Sequence, residues 1–174
     1  FRPGEEQKFL MLAYRIAAAG EMNCIINDAQ AKIIKFSEAK QGFMLVRKEV
    51  LGDTHSYINI RYGNVIYPLQ IHDSFRSLFN NISEWVNKLP TSFTNSYTGW
   101  SLVLQAEPNT IAITPSRESI SMTDSTIKSI NALLMNFWQI HNKEFASKLT
   151  MAFKESTKNP ITPVELINKL ERIP

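Results

Sequence analysis

Three stretches of the chain carry apolar residues at three- and four-residue steps, the spacing that places side chains on one face of a helix. This pattern predicts helices over 5–19, 73–89 and 124–154. In the first, the apolar face consists of Phe9, Leu12, Ala13, Ile16 and Ala17, and Gly20 is expected to supply a left-handed C-terminal cap.

Two shorter helices are predicted from capping residues rather than from periodicity. Asn27 or Asp28 is a suitable N-cap for a helix that reaches Phe36. Near the C-terminus, Thr162-Pro163-Val164-Glu165 places a cap, a proline at the first helical position and a glutamate three residues after the cap. We therefore expect a short helix within 159–174.

Runs of β-branched and aromatic residues predict five strands. They cover 43–46, 57–62, 65–67, 100–104 and 110–114. Gly63-Asn64 separates the second and third runs and suits the positive φ of a two-residue hairpin turn. Pro68 is expected to end its strand or to place that strand at a sheet edge. Glu107-Pro108-Asn109 indicates a second hairpin.

This order of elements predicts an α+β fold. We expect a five-stranded, mainly antiparallel sheet built from hairpins and packed by an N-terminal helix, a middle helix and a long C-terminal helix, mainly on one face. The predicted domain covers 1–158, and the short helix of 159–174 is appended to it.

Composition places the chain among ordinary globular domains. Of its 174 residues, 44% are apolar and 20% charged. Cys24 is the only cysteine, which excludes an intramolecular disulfide and suits a reducing compartment, so we expect a cytoplasmic protein. The apolar runs are far shorter than the roughly 20 residues of a membrane span, and no membrane insertion is expected.

The formal charge of +3 makes nucleic acid an unlikely partner, since the basic residues are dispersed rather than clustered. Tyr57, Tyr62 and Tyr67 lie in predicted strands and are suited to stack on RNA bases. A nucleic-acid-binding module therefore remains an alternative interpretation.

No recognisable motif indicates catalysis or a cofactor. His55, His72 and His141 lack the spacing of metal ligands, and the six glycines are isolated, which excludes a phosphate-binding loop. Cys24 is followed by two isoleucines, so we expect a buried, inert thiol. No catalytic, metal or cofactor-binding residue is proposed, and a non-enzymatic protein is expected. An enzyme with a dispersed site is a third interpretation.

The long helix carries more apolar surface than one face requires. Its inward face is expected to contain Ile127, Ile130, Leu134, Phe137, His141 and Phe145. Trp138, Met151 and Phe153 lie beside or away from that face, and we expect them to contact a partner protein, since aromatic residues and methionine are enriched at interface cores. The expected partner is a helical or extended segment, in a homo- or hetero-oligomer.

Over about residues 5–155, the element order resembles that of bacterial type III secretion chaperones and of the small adaptors of type IV secretion coupling complexes. Those families are non-catalytic and hold effector segments or the tail of a coupling ATPase. The resemblance implies that this chain is a protein-binding adaptor or chaperone of a secretion system. It implies no site residue.

Overall fold

The computed structural model describes residues 6–31, 41–51, 56–89, 99–116 and 118–158. The chain divides into two compact units, Phe1–Leu134 and Met135–Pro174. The boundary falls within the last helix. The predicted helix of 159–174 lies outside the described residues, and so does the boundary expected at 159.

The first unit combines helices with a mixed sheet, which confirms the α+β class. The helices are α1 (Glu6–Ala19), α2 (Lys48–Leu51), α3 (Arg76–Lys88) and α4 (Asp124–Lys158), with a 3-10 turn over Asp73–Phe75 before α3. The strands are β1 (Ile25–Ile26), β2 (Ala29–Gln30), β3 (Phe43–Arg47), β4 (Ile58–Tyr62), β5 (Val65–Pro68) and β6 (Trp100–Ala106).

The main sheet has four strands in the order β3-β6-β4-β5. The β3–β6 and β4–β5 pairs are antiparallel, whereas β4 and β6 run parallel. The predicted tight turn at Gly63-Asn64 is confirmed, since Tyr62 pairs with Val65 and Gly63 has a φ of 59°. Pro68 ends β5 at the sheet edge, as expected.

The fifth strand predicted at 110–114 is not part of this sheet. Only Ile113 forms a β-bridge, and its partner is Ile120. The segment instead bonds to the residues before and within α4: Ser121 N donates to Ala112 O, and Ala112 N donates to the buried hydroxyl of Thr126 at 2.9 Å. These bonds satisfy backbone groups that a ladder with β6 would otherwise have used.

The helix predicted from Asn27 is also wrong over the described residues. Asn27 and Asp28 both have positive φ, 48° and 59°, and form the two-residue turn of the β1–β2 hairpin. Asparagine and aspartate tolerate this conformation as well as they cap helices, so the local sequence fits both structures. Residues 32–36 of the predicted helix lie outside the described part.

The central strands are buried on both faces. In β4, the consecutive residues Ile58, Asn59 and Ile60 are fully buried, and Leu102, Val103 and Leu104 are buried in β6. Small residues at the end of α1, Ala18 and Ala19, pack against one face in a cluster that also contains Val46, Leu51, Ile66 and Val103.

The burial of α1 differs from its predicted apolar face. Ala17, Ala18 and Ala19 are buried, whereas Phe9, Leu12 and Ile16 are about half exposed. The left-handed residue after α1 is Glu21 (φ 54°) and not Gly20, with Met22 N donating to Ala17 O at 3.0 Å. Small side chains therefore pack α1 against the sheet, while its larger apolar residues stay partly exposed.

Candidate functional site

The start of α4 is fixed by hydrogen bonds of threonine hydroxyls. Thr126 N donates to Thr123 Oγ1, and Ile127 N donates to Thr123 O at 2.9 Å. Thr123 is therefore the capping residue, one position before Asp124 opens the helix. The cap sets the register of every side chain that follows in α4.

Four aromatic side chains form a continuous row along the part of α4 that belongs to the second unit. We call Phe137, Trp138, His141 and Phe145 the α4 aromatic cluster. The His141 ring lies between the others, with ring centroids 6.0 Å from Phe137, 5.5 Å from Trp138 and 6.4 Å from Phe145. The Phe137 and His141 planes are nearly parallel, at 12°. These contacts join residues three and four positions apart on one side of the helix.

Burial decreases steadily along this row. Phe137 is 2% exposed, His141 and Trp138 are half-buried, and Phe145 is 41% exposed. The prediction that Phe145 packs inward is therefore wrong. Beyond Asn142, each side chain that the structure describes is exposed, up to Lys154. The row thus begins as core and ends as an accessible aromatic surface.

Burial lowers the pKa of His141, because the charged imidazolium would lose hydration among the neighbouring rings. The Lys148 ammonium acts in the same direction, and the Glu144 carboxylate opposes it. His141 is therefore neutral at pH 7 and contributes an uncharged aromatic ring to the cluster. Among the described residues, no group of three or more metal-ligating side chains lies together, and His141 belongs to none.

The structure does not bring the predicted contact residues together. Trp138 is half-buried against His141, and Met151 is 66% exposed. Thirteen residues separate them, so they lie about 20 Å apart along the helix and about 140° apart around it. Phe153 lies in α4, but its side chain is not among those described. A partner that contacts both Trp138 and Met151 must therefore extend along three to four helical turns.

A second exposed apolar surface lies on the first unit. Phe9, Leu12 and Ile16 form a stripe along α1, and Met22 and Ile25 are exposed just beyond the end of that helix. The sequence pattern correctly placed these three residues on one face of α1, but that face was expected to be buried and is exposed. Its exposure could be recognised only once Ala17, Ala18 and Ala19 were known to make the close contacts.

The basic and aromatic residues of the sheet are engaged within the protein. The Lys48 ammonium is 3.6 Å from the centre of the Tyr57 ring, and the Arg47 guanidinium is 4.0 Å from that of Trp100. Arg61 bonds to Gln105 Oε1 and to the Ala19 carbonyl at the end of α1. These contacts hold the three cationic groups against other groups of the same chain.

The strand tyrosines do not form an exposed platform for bases. Tyr67 is buried, Tyr57 lies beneath Lys48, and the hydroxyl of Tyr62 accepts a hydrogen bond from Asn109 N at 3.1 Å. Single-stranded RNA recognition requires accessible ring faces. The arrangement disfavours the nucleic-acid alternative.

Two features bear on catalysis. A cavity of about 450 Å³ is lined by His72, Ser74, Met122, Asp124, Ile127, Lys128 and Asn131. The Nδ1 atom of His72 accepts a hydrogen bond from Ser74 N and caps the 3-10 turn, which is a structural role.

Cys24 is half-buried rather than buried as predicted, next to the β1–β2 hairpin. Neither feature brings a nucleophile into contact with a base among the described side chains.

Comparison with protein-family models, with curated proteins and with solved structures finds no match to this chain. In the part of the chain that the structure describes, none of the helices combines the length and the apolar character needed to cross a bilayer.

Proposed function

We propose that this chain is a non-enzymatic, cytoplasmic adaptor or chaperone that holds a helical or extended segment of a partner protein against the C-terminal half of α4. The observation that carries the proposal is the exposure of Phe145 and Met151, which continues from the half-buried rings of Trp138 and His141 along the same helix. Aromatic residues and methionine are enriched at the cores of protein interfaces, and aromatic residues often carry much of the binding energy there.

The engagement of Lys48, Arg47 and Arg61 within the fold supports a protein partner over a nucleic acid. Tyr57, Tyr62 and Tyr67 are likewise occupied by internal contacts. The element order that resembles bacterial secretion chaperones and adaptors favours a partner in a secretion system, and we include that context in the proposal.

Alanine variants of the tagged protein test the proposal by partner capture from native lysate. We expect Trp138→Ala and Met151→Ala to reduce capture at least about tenfold, since truncation of a central interface aromatic commonly costs about 2 kcal/mol or more. Gln139→Ala is the matched control, because Gln139 is also exposed but lies about 100° around the helix from Trp138 and about 120° from Met151.

Equal capture by wild type and both variants would contradict the proposal. A captured species that nuclease removes, and whose binding weakens steeply with salt, would support the nucleic-acid alternative instead, because phosphate binding releases counterions.

A further inference from the structure

The C-terminal half of α4 carries opposite charges on the same face as its exposed apolar residues. After Phe137, the positions at alternating four- and three-residue steps are His141, Glu144, Lys148 and Met151. Such positions face a neighbouring helix when two helices pack side by side. Glu144 and Lys148 are both exposed, so a helix that covers this face must meet one negative and one positive charge.

A second copy of the same helix places a charge of opposite sign against each of these two side chains in the antiparallel direction only. A parallel copy in register would place Glu144 opposite Glu144 and Lys148 opposite Lys148, and like charges in contact oppose association. An antiparallel copy can place Glu144 opposite Lys148 of the second copy, and by symmetry the same pair forms a second time.

Burial selects among the antiparallel registers. Sliding the second copy by one heptad would place His141 opposite Glu144 of that copy, but Lys148 would then face Phe137, and Met151 would face Leu134. Phe137 and Leu134 are already buried, at 2% and 0% exposure, and are not accessible to another chain. The register that pairs Glu144 with Lys148 uses exposed or half-buried residues.

The remaining contacts in this register are apolar. The two-fold axis falls at the level of Ala146, midway between Glu144 and Lys148, so Phe145 lies next to the axis and beside Phe145 of the second copy. His141 lies opposite Met151 of that copy. Phe145 and Met151 are among the most exposed large apolar residues of α4. The neutral imidazole of His141 is suited to contact a thioether, since no charge has to be desolvated.

We propose that the C-terminal half of α4 pairs with a second copy of this chain as an antiparallel helix dimer, held by two reciprocal Glu144–Lys148 pairs on either side of Phe145. The inference rests on the proposed function, in which this half of α4 is a protein-binding surface. The contact spans about three helical turns, which places it in the class of small interfaces, below about 1,200 Å², that form weakly and reversibly.

Sedimentation of the full chain at increasing concentration tests the pairing. Over about 10 µM to about 1 mM, the range in which weak interfaces dissociate, we expect the wild-type protein to shift from monomer to dimer. Glu144→Lys and Lys148→Glu should each weaken self-association about tenfold or more, because each creates two pairs of like charges. Lys143→Glu, a reversal away from this face, should behave as the wild type.

Mixing the two single variants provides the sharpest test. In the antiparallel register, every pair between a Glu144→Lys chain and a Lys148→Glu chain is again of opposite charge, so the mixture should dimerise although neither variant does alone. The double variant should recover self-association. Circular dichroism of each variant checks that helix content is unchanged.

A wild-type protein that stays monomeric throughout, single variants that dimerise as the wild type does, or a mixture that stays monomeric would each overturn the proposal. The proposed function fails in a different way. If partner capture depends on Trp138 and Met151 while the protein alone is monomeric, the adaptor function stands and the self-pairing does not.

Discussion

The two parts of α4 share one apolar repeat but differ in their surroundings. Up to Phe137, which is 2% exposed, the repeat is buried, with Ile130 and Leu134 fully enclosed and the hydroxyl of Thr126 bonded to Ala112 N. Further along the helix, Phe145 and Met151 are exposed, and the Thr150 hydroxyl bonds to the carbonyl of Ala146 in its own helix. The periodicity thus shows which residues share a face, whereas burial depends on what lies against that face.

The largest expected effect on stability separates Phe137 from Phe145, two residues that the apolar periodicity of α4 does not distinguish. Phe137→Ala should lower the free energy of unfolding by about 3–5 kcal/mol, because it removes a buried ring and leaves a cavity. Phe145→Ala, at an exposed position of the same helix, should cost less than about 1 kcal/mol. Urea denaturation measures both.

Similar losses for the two variants would show that both parts of α4 are covered alike in solution, and the distinction between a buried and an accessible part would fail. Met135→Ala is a useful control, since Met135 adjoins Leu134 in sequence but is exposed.

A smaller effect concerns the contribution of half-buried His141 to the pH dependence of stability. The folded state lowers the pKa of His141, chiefly through burial, so the unfolded chain binds a proton more readily. Stability should therefore be full above the usual histidine pKa and fall as the pH drops below about 6.5 towards the lowered folded-state value. In His141→Gln, this part of the pH dependence should be absent.

Thermal unfolding at about pH 7.5 and about pH 5.5, on either side of the usual value, measures the difference. An identical drop in the two proteins would assign the pH dependence to other groups. We expect the His141 contribution to be small, because the ring is only half-buried and solvent screens its charge.

Features determined by a few neighbouring residues were predictable from the sequence. Gly63-Asn64 formed its tight turn, and Pro68 ended an edge strand. Where one short motif suits two structures, prediction failed. Asn27-Asp28 fits both a helix cap and a hairpin turn, and only the pairing of Ile26 with Ala29 decides between them.

The candidate site was predictable only in part, because exposure results from contacts between residues distant in sequence. The sequence placed Trp138 and Met151 beside or away from the inward residues of α4, and the structure finds Trp138 half-buried and Met151 exposed. It could not show that Phe145 is accessible, nor that the stripe of Phe9, Leu12 and Ile16 faces outward, since alanines make the contacts that larger residues were expected to make.

Site-specific photo-cross-linking in cells tests most directly whether the C-terminal half of α4 binds protein. A photoreactive side chain is placed at Met151 in one variant and at Gln139, which is exposed and about 120° around the helix from Met151, in another. The account predicts a discrete protein adduct from position 151 and none from position 139. Equal adducts from both positions, or no adduct from position 151, would contradict it.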